Sequence, residues 1–385
     1  MRYKDFEFSL RELAGSMGDF GTLFPLAIGY IVVCGMNPSG LLVMMGLINI
    51  ASGIIYRQPM PVEPMKALAV AAISQKWAPS LIYATGFGTG VAWVVFAFSG
   101  LIQRIAQITP RNVVRGIQAT LGIMLGIEGI KLIAARWSWG SLSLQWVLGA
   151  LAIVIILTLR ENRYAPATIV LMVMGVVIVG LKGELGRSVS FGFSLPPLTT
   201  FRPVEIWGGF VRAGFAQLFL TASNAVIATA AVIKKYWPER PVAEKRLALN
   251  MGIMNCVLPF FGGMPMCHGS GGYVGQYYFG ARTAGANLME GTLELSLGLF
   301  LSRSIAGIFA VFPKAIIGGM MLMVGVEFVK FVRDLKLREM PIMVFTTALS
   351  IATNMAIGFI AGMVVYHLLS SYGRNNKYLG WAVKS

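Results

Sequence analysis

Two short stretches of the sequence combine proline, glycine and polar residues in a way that suits anion binding. They are Met60-Pro61-Val62-Glu63-Pro64-Met65-Lys66-Ala67 and Gly263-Met264-Pro265-Met266-Cys267-His268-Gly269-Ser270-Gly271-Gly272. Proline removes a backbone donor and glycine is permissive, so neither stretch forms a comfortable helix or a clean strand. Within a membrane, such backbone is tolerated only where it is buried in protein or lines a wet cavity. The two stretches are therefore predicted to line a cavity.

A helix is predicted to follow each stretch, with first turns at residues 63–67 and 269–272. A helix that begins at mid-membrane presents unpaired N–H groups and the positive end of its dipole. Glycines in that turn let an oxyanion approach the backbone closely, and two such ends facing each other would trap an anion. The alternative is that the glycines only permit tight packing between helices, but this leaves the paired prolines unexplained.

Three neutral polar residues form one stripe in a later apolar run. Gln217, Thr221 and Asn224 stand at i, i+4 and i+7, on one face of a helix. Amide and hydroxyl groups on one stripe suit an oxyanion or another polar solute, and hydrogen bonds between helices are the alternative. Near the start of the first apolar run, Thr22 is placed to reach the same cavity, whereas Asp19 is equally consistent with a helix N-cap.

Ionisable residues inside apolar runs are candidates for function. Glu63 and His268 occupy equivalent places in the two stretches, so each is expected to orient its segment, and either could change its protonation state. Lys66 would supply positive charge to an anion, unless it forms a salt bridge with Glu63 at i+3. Glu290 and Glu294, four residues apart, would either form a proton relay or each bond a neighbouring helix.

The composition is that of a protein with many membrane segments. Of its 385 residues, 56% are hydrophobic and only 12% are charged, against roughly 25% charged in a soluble domain. Residues 1–17 carry charges of both signs and no apolar core, so a short amphipathic surface helix is predicted there rather than a signal peptide. Three cysteines, Cys34, Cys256 and Cys267, leave an odd count, so we expect buried thiols and no disulfide framework.

Fourteen membrane segments are predicted, in an all-α fold with both termini cytoplasmic. Membrane helices need about 17 to 25 apolar residues, and shorter runs are expected where a helix is broken. The topology puts 22 lysines and arginines inside and 8 outside, which supports the orientation and removes nucleic acid as the reason for the net charge of +16. The segments are about 18–35, 38–56, a half-span 63–75, 80–102, 112–133, 145–160, 165–181, 206–233, 244–261, a half-span 269–280, 285–302, 314–332, 341–354 and 356–372.

A second internal echo indicates two repeats. Gly126-Ile127-Glu128-Gly129-Ile130-Lys131 ends the fifth segment, and Gly325-Val326-Glu327-Phe328-Val329-Lys330 ends the twelfth. Seven segments is an odd number, so the two helices run in opposite directions and the repeats are inverted. The carboxylates of these echoes are expected to form structural ion pairs, Glu128 with Lys131 and Glu327 with Lys330. Residues 182–203 join the halves and show no sign of a separate domain.

Taken together, the motifs resemble the molybdate transporters related to sulfate permeases. The resemblance covers nearly the whole chain and rests on residues 60–66 and 264–272 quoted above, on Leu220-Thr221-Ala222-Ser223-Asn224-Ala225-Val226-Ile227-Ala228, and on Gly275-Gln276-Tyr277-Tyr278-Phe279-Gly280. It implies the seven-plus-seven inverted-repeat fold shared with uracil permease, a homodimer, and an elevator-like motion of a core against a gate. The substrate contacts that it implies are Thr22, Met65, Lys66, Gln217, Thr221, Asn224, Ser270, Gly271 and Gly272.

The same resemblance predicts four parts of the chain. Residues 1–103 and 204–303 would form the core domain, and residues 104–203 and 304–385 the gate domain with a short cytoplasmic tail. Sulfate permeases usually carry a cytoplasmic STAS domain, and the chain ends too early for one, so no regulation through such a domain is expected.

The sequence therefore predicts a molybdate importer of the plasma (inner) membrane, with no cofactor and no metal. Proton coupling would use Glu63, His268, Glu290 or Glu294. Sulfate has nearly the same shape and charge as molybdate and remains an alternative substrate. A nucleobase permease would want a carboxylate where the polar stripe offers amide and hydroxyl groups. A membrane enzyme or redox subunit would usually need clustered histidines or cysteines, and the two histidines, His268 and His367, lie far apart.

Overall fold

The computed structural model describes residues 2–3, 5–135, 141–159 and 167–375. The boundary between the sixth and seventh predicted segments and the C-terminal tail lie outside these residues. Within them the chain is helical, and the helices are α1 Leu10–Ser16, α2 Phe20–Val32, α3 Pro38–Tyr56, α4 Lys66–Ser74, α5 Pro79–Ser99, α6 Leu101–Ile108, α7 Arg111–Ile133, α8 Leu142–Thr158, α9 Ala167–Leu181, α10 Leu185–Ser188, α11 Pro203–Tyr236, α12 Glu244–Val257, α13 Ser270–Phe279, α14 Gly285–Phe300, α15 Ser302–Val311, α16 Lys314–Lys330, α17 Met340–Ala352 and α18 Met355–Asn375.

Four two-residue strands complete the fold. Strands β1 (Arg2–Tyr3) and β2 (Phe6–Glu7) form an antiparallel hairpin before α1. Strands β3 (Glu63–Pro64) and β4 (Met266–Cys267) come from the two halves of the chain and pair with each other, also antiparallel. Each of these last two strands lies just before a short helix, α4 or α13.

Five helices in the described residues are long and apolar enough to cross a membrane, namely α3, α5, α7, α11 and α16 with its short extension to Asp334. A sixth span results if α14 and α15 are counted together, although an 81° bend separates them. Helices α8, α9 and the first part of α18 are apolar but shorter. The chain is thus an integral membrane protein, as its composition predicts.

Local sequence signals set several helix ends. The Asn37 side chain accepts hydrogen bonds from the backbone N–H of Ser39 at 2.8 Å and of Gly40 at 3.4 Å, and Pro38 occupies the first position of α3, where its missing donor costs nothing. Gly100 ends α5 with a φ of 68°, a left-handed conformation that glycine adopts without strain. The chain can therefore turn directly into the short helix α6.

The N-terminal region differs from its prediction. Only residues 10–16 form the expected amphipathic helix, because the Ser9 hydroxyl caps that helix by accepting from the N–H of Glu12 at 3.3 Å. The residues before Ser9 instead form the β1–β2 hairpin. Helices α6 and α15 were also absent from the prediction, since each is too short to register as a membrane segment.

The main helix pairs meet through reciprocal glycine contacts. A Cβ added to Gly46 in α3 would lie 2.5 Å from the carbonyl oxygen of Gly291 in α14, and the reverse distance is 2.6 Å. In the α7–α16 pair, Gly122 and Gly325 stand in the same reciprocal relation, at 2.6 Å each way. Such contacts let the two backbones touch, as small residues do in membrane helices.

The connection between the halves follows the surface of these helices. The N–H of Ser194 donates to the carbonyl of Leu299 at 2.8 Å, and the Ser39 hydroxyl donates to the carbonyl of Ser194 at 2.9 Å. Further on, the N–H of Thr199 donates to the carbonyl of Phe260 at 3.0 Å. This segment is therefore fastened to the ends of α3, α12 and α14.

The glycine contacts predict the effect of a single methyl group. Gly46→Ala should lower the stability by about 1–3 kcal/mol, because overpacking forces the backbones of α3 and α14 apart. The measurement is the thermal denaturation midpoint of the purified protein in detergent. Gly208→Ala is the matched control, since nothing lies within 4 Å of a Cβ there. An unchanged midpoint for Gly46→Ala would contradict the contact.

Candidate functional site

The β3–β4 pair brings the two predicted stretches together. Glu63 pairs with Cys267 and Pro64 with Met266, and the N–H of Met65 donates to the carbonyl of Pro265 at 2.9 Å. Helices α4 and α13 begin two and three residues after strands β3 and β4. Both helix starts therefore lie beside the place where the two strands pair, the β3–β4 crossing. The sequence predicted this meeting from the paired prolines.

Two buried asparagines complete the hydrogen bonding of the crossing. Asn255 donates to the carbonyl of Met266 at 2.7 Å and accepts from its N–H at 2.9 Å. Asn287 holds Met60 in the same way, at 2.6 and 2.8 Å. Both side chains are fully buried. Sequence reasoning missed these residues, although an isolated asparagine in an apolar helix is a signal for such an interhelical bond.

The start of α4 is capped by the polar stripe of α11. The Gln217 Oε1 accepts from the backbone N–H of Ala67 at 2.7 Å and of Leu68 at 3.2 Å, while its Nε2 donates to the Thr221 hydroxyl at 2.6 Å. The two backbone donors fix the orientation of the Gln217 amide. Gln217 and Thr221 thus use their hydrogen bonds to hold the helix start.

The start of α13 is more open. Its Ser270 hydroxyl donates to Asn224 Oδ1 at 2.8 Å, which joins it to the same stripe of α11. No side chain of the described residues caps the first turn. A Cβ added to Gly271 would meet nothing within 4 Å, so the backbone is accessible there. Asn224 itself lies in a π-helical segment, Ala222–Ile227, a distortion that is frequent at functional sites.

The Glu63 carboxylate lies against the first turn of α13. A Cβ added to Gly269 would lie 2.8 Å from its oxygens, and one at Gly272 would overlap Oε1. The same carboxylate forms an ion pair with Lys66 at 2.9 Å, and the side chains are 1% and 16% exposed. The salt bridge offered by the i+3 spacing is confirmed. Glu63 therefore places a negative charge between the positive end of α13 and the ammonium group of Lys66.

His268 fastens the two stretches to each other. Its Nδ1 lies 2.9 Å from the carbonyl oxygen of Pro61, and since a carbonyl only accepts, Nδ1 carries the hydrogen. The backbone carbonyl of His268 accepts from the Thr229 hydroxyl at 3.1 Å, and its ring meets the edge of Tyr56 at 5.6 Å. Nε2 has no hydrogen-bond partner in the described part of the chain.

A cavity of about 490 Å³ adjoins the start of α13. Thr22 and Gly271 line it from α2 and α13, and residues of α8, α9 and α16 complete the lining. Lys66, Gln217 and Asn224 are not among its lining residues. Met65 is fully buried, and its sulfur accepts from the Thr89 hydroxyl at 3.7 Å. Of the predicted substrate contacts, Thr22 and Gly271 therefore line the cavity, whereas Met65, Lys66, Gln217 and Asn224 do not.

Glu290 and Glu294 lie away from this cavity, in the buried contact between α3 and α14. The Asn49 Nδ2 donates to Glu294 Oε2 at 2.8 Å, so one of the two carboxylates bonds a neighbouring helix. The ion pairs expected in the second echo are also present, Glu128 with Lys131 at 3.3 Å and Glu327 with Lys330 at 2.6 Å. Asp19 precedes α2 but its side chain caps no backbone N–H of that helix.

A family model described as molybdate transporter of the MFS superfamily matches residues 11–125 and 209–328. The chain belongs to this molybdate transporter family. Its two matched regions contain both paired stretches, the stripe of α11 and the three buried asparagines Asn49, Asn255 and Asn287. Membership makes the chain a membrane transport protein for an oxyanion, not an enzyme.

Relatives of this family member extend over most of its length. Molybdate transporter 1 of Arabidopsis thaliana is 30% identical, over 96% of this chain and 90% of that protein. Molybdate transporter 2 of the same plant is 28% identical, over 93% and 87%. A putative sulfate transporter of Bacillus subtilis (strain 168), YbaR, is 23% identical, over 86% and 70%.

Solved structures show the same fold. The transmembrane domain of the cyanobacterial bicarbonate transporter BicA superposes with a TM-score of 0.68 at 16% identity, over 94% of this chain and 98% of that one. The murine anion transporter Slc26a9 in the inward-facing state gives 0.70 at 12% identity, over 97% and 69%. At these identities the likeness concerns the fold alone.

Because Gln217 caps α4, two different substitutions of Gln217 should differ in their effect on stability. Gln217→Leu should lower the thermal denaturation midpoint, because two buried N–H groups lose their acceptor at a cost of about 1–3 kcal/mol each. Gln217→Glu keeps an acceptor for both N–H groups, and the Thr221 hydroxyl can donate to it, so most of the stability should remain. Equal midpoints for the two variants would mean that Gln217 does not cap α4.

The Glu63 contact predicts a difference between adjacent glycines. Gly272→Ala should destabilise the protein, because the methyl group displaces Glu63 from its ion pair with Lys66. Gly271→Ala, which meets open space, should have the midpoint of the unmodified protein. In the background of Glu63→Ala, Gly272→Ala should cost much less, since contacting residues are not additive. A cost that persists undiminished in that background would assign the effect to another neighbour.

Proposed function

We propose that this chain is a secondary active transporter that imports molybdate across the plasma membrane, with both termini in the cytoplasm. The observation that carries the proposal is the meeting of two helix starts, α4 and α13, at the β3–β4 crossing. One start carries Lys66 and the other a glycine-rich turn without a capping side chain, so two positive helix ends lie close together with the Glu63 carboxylate between them.

In this proposal the chain has fourteen membrane segments in two inverted seven-span repeats. Helices α4 and α13 are the half-spans of the third and tenth segments, and β3 and β4 are the extended segments that precede them. The reciprocal glycine contact between α7 and α16 supports an inverted relation, because these helices are the fifth and twelfth segments and a two-fold axis between equivalent helices produces contacts of this kind. Helices α6 and α15 also follow corresponding segments, the fourth and the eleventh.

The bound molybdate is proposed to lie between the helix starts. Thr22, Asn224, Ser270, Gly271 and Gly272 would contact it, with Lys66 providing charge. In the same proposal, Met65, Gln217 and Thr221 complete the site from behind, since their polar atoms already hold the α4 start and the crossing. A tetrahedral dianion would then be held by amide dipoles and neutral donors together with one cation.

Transport is proposed to follow an elevator motion within a homodimer joined through its gate domains. The core would comprise residues 1–103 and 204–303, and the gate residues 104–203 and 304–385. The lining of the 490 Å³ cavity supports this division, because it combines residues of α2 and α13 from the proposed core with residues of α8, α9 and α16 from the proposed gate. A relative shift of these two sets of helices would open or close the route to Gly271.

Import of a dianion needs an energy source. Against a negative-inside potential the movement costs about 2.3 kcal/mol per charge per 100 mV, so we propose symport with protons. Glu63, His268, Glu290 and Glu294 are the candidate carriers. All four side chains are buried, and atoms of each lack a hydrogen-bond partner among the described residues.

Uptake of labelled molybdate into vesicles containing the purified protein tests this function. Saturable uptake that excess sulfate inhibits only weakly is expected. Sulfate is the second candidate because of the likeness to the Bacillus protein and because the two dianions share a shape. Transport of sulfate without molybdate would overturn the substrate assignment.

The proposed contact between Asn224 of α11 and molybdate is tested by substituting Asn224 and the adjacent Ser223. Asn224→Ala should weaken molybdate binding about tenfold, equivalent to about 1.4 kcal/mol, because it removes an amide beside Ser270. Ser223→Ala is the control, since the Ser223 hydroxyl donates only to carbonyls of its own helix, those of Phe219 and Leu220. Titration of the purified variants by calorimetry gives both constants. An unchanged constant for Asn224→Ala would remove α11 from the site.

A further inference from the structure

Three buried carboxylates are not among the proposed substrate contacts and form a separate group. Its members are Asp19 before α2 and Glu290 and Glu294 on α14, which are 6%, 2% and 5% exposed. Electrostatic interactions link Asp19 with Glu63 on β3, Lys66 on α4 and the two glutamates of α14. One cation therefore stands against four carboxylates.

Several oxygens in this group have no hydrogen-bond donor. Both oxygens of Asp19, Oε2 of Glu290 and Oε1 of Glu294 are buried without a partner in the described residues. Buried carboxylates side by side are costly unless protons neutralise them. A second observation points to the same place, because the Ser52 hydroxyl is 1% exposed and unpartnered. Ser52 lies one helical turn beyond Asn49 on α3, which packs on α14.

Two side-chain amides whose orientation is fixed by hydrogen bonds show which oxygen of Glu294 can carry a proton. The N–H of Met60 can only donate, so it identifies the oxygen of Asn287. The Asn287 Nδ2 therefore donates to Asn49 Oδ1 at 3.0 Å, and the Asn49 Nδ2 to Glu294 Oε2 at 2.8 Å. Oε1 is left as the position for a proton. The same two amides connect Glu294 to the stretch that precedes β3.

Asp19 lies at the boundary between this group and the cavity. Its neighbours Gly18, Gly21 and Thr22 line the cavity, whereas its own side chain is turned inward and caps no helix. Asp19 is therefore the member of the group that is adjacent in sequence to residues of the cavity lining.

We propose that Asp19, Glu290 and Glu294 form one proton-binding cluster in which Asp19 exchanges protons with the cavity. The inference rests on the proposed function and adds Asp19 as the coupling residue. Each oxyanion is accompanied by a proton that forms an O–H bond with a carboxylate oxygen on one side of the membrane and leaves it on the other. Asn49 and Asn287 are positioning residues that hold Glu294 and Met60 in register.

The test compares gradient-driven uptake with counterflow in vesicles of purified protein. An inward gradient of about one pH unit should drive about tenfold accumulation of labelled molybdate if one proton accompanies each ion. Asp19→Asn should lose this accumulation while retaining counterflow at equal pH. Glu239→Gln removes an exposed carboxylate and is the matched control, which should keep both activities. Gradient-driven accumulation by Asp19→Asn, or accumulation driven by sodium instead of protons, would overturn the proposal.

A measurement on the unmodified protein tests the proposal even if the Asp19→Asn variant fails to fold. Molybdate added to the protein in weakly buffered solution should cause proton uptake, followed with a pH-sensitive dye. Glu294→Gln should reduce that uptake. Molybdate binding without any proton uptake would overturn the cluster. Absence of molybdate counterflow in the unmodified protein would instead show that the proposed function is wrong, so the two failures are distinguishable.

Discussion

The structure depends on satisfying backbone polar groups where two non-helical segments cross inside an apolar protein. The β3–β4 pairing meets part of this requirement, and Asn255 and Asn287 meet the rest by bonding both the N–H and the carbonyl of Met266 and Met60. With those groups paired, the crossing costs little. The starts of α4 and α13 are then placed beside each other by the protein's own hydrogen bonds.

The two helix starts are chemically unequal although the sequence stretches before them resemble each other. At α4, Gln217 takes two backbone donors and Lys66 adds a cation, whereas at α13 the glycines leave the donors accessible and Glu63 lies against Gly272. A ligand between them would face charge on one side and bare amides on the other. In the proposed site, the two sides of a bound ligand would therefore have different surroundings, which two identical helix starts would not provide.

Prediction from the sequence succeeded where a signal was local and failed where a side chain had several partners within reach. Paired prolines and glycines located the crossing, and i+3 spacing located the Glu63–Lys66 ion pair. The polar stripe predicted three residues on one face of a helix but not that Gln217 would cap α4, because a capping amide and a ligating amide look alike in sequence. Asp19 likewise has the position of an N-cap, and only burial shows its side chain turned inward.

The glycine contacts also decide where the molecule can shear. Within the α3–α14 and α7–α16 pairs, main chain rests on main chain, and such surfaces have no compliance. Between α2 and its neighbours α4 and α16, a Cβ at Gly29 would instead meet the tips of Ile73 and Met321, and methionine adapts its shape easily. Sliding of α2 past α4 and α16 is therefore expected to cost less than sliding within the α3–α14 or α7–α16 pair.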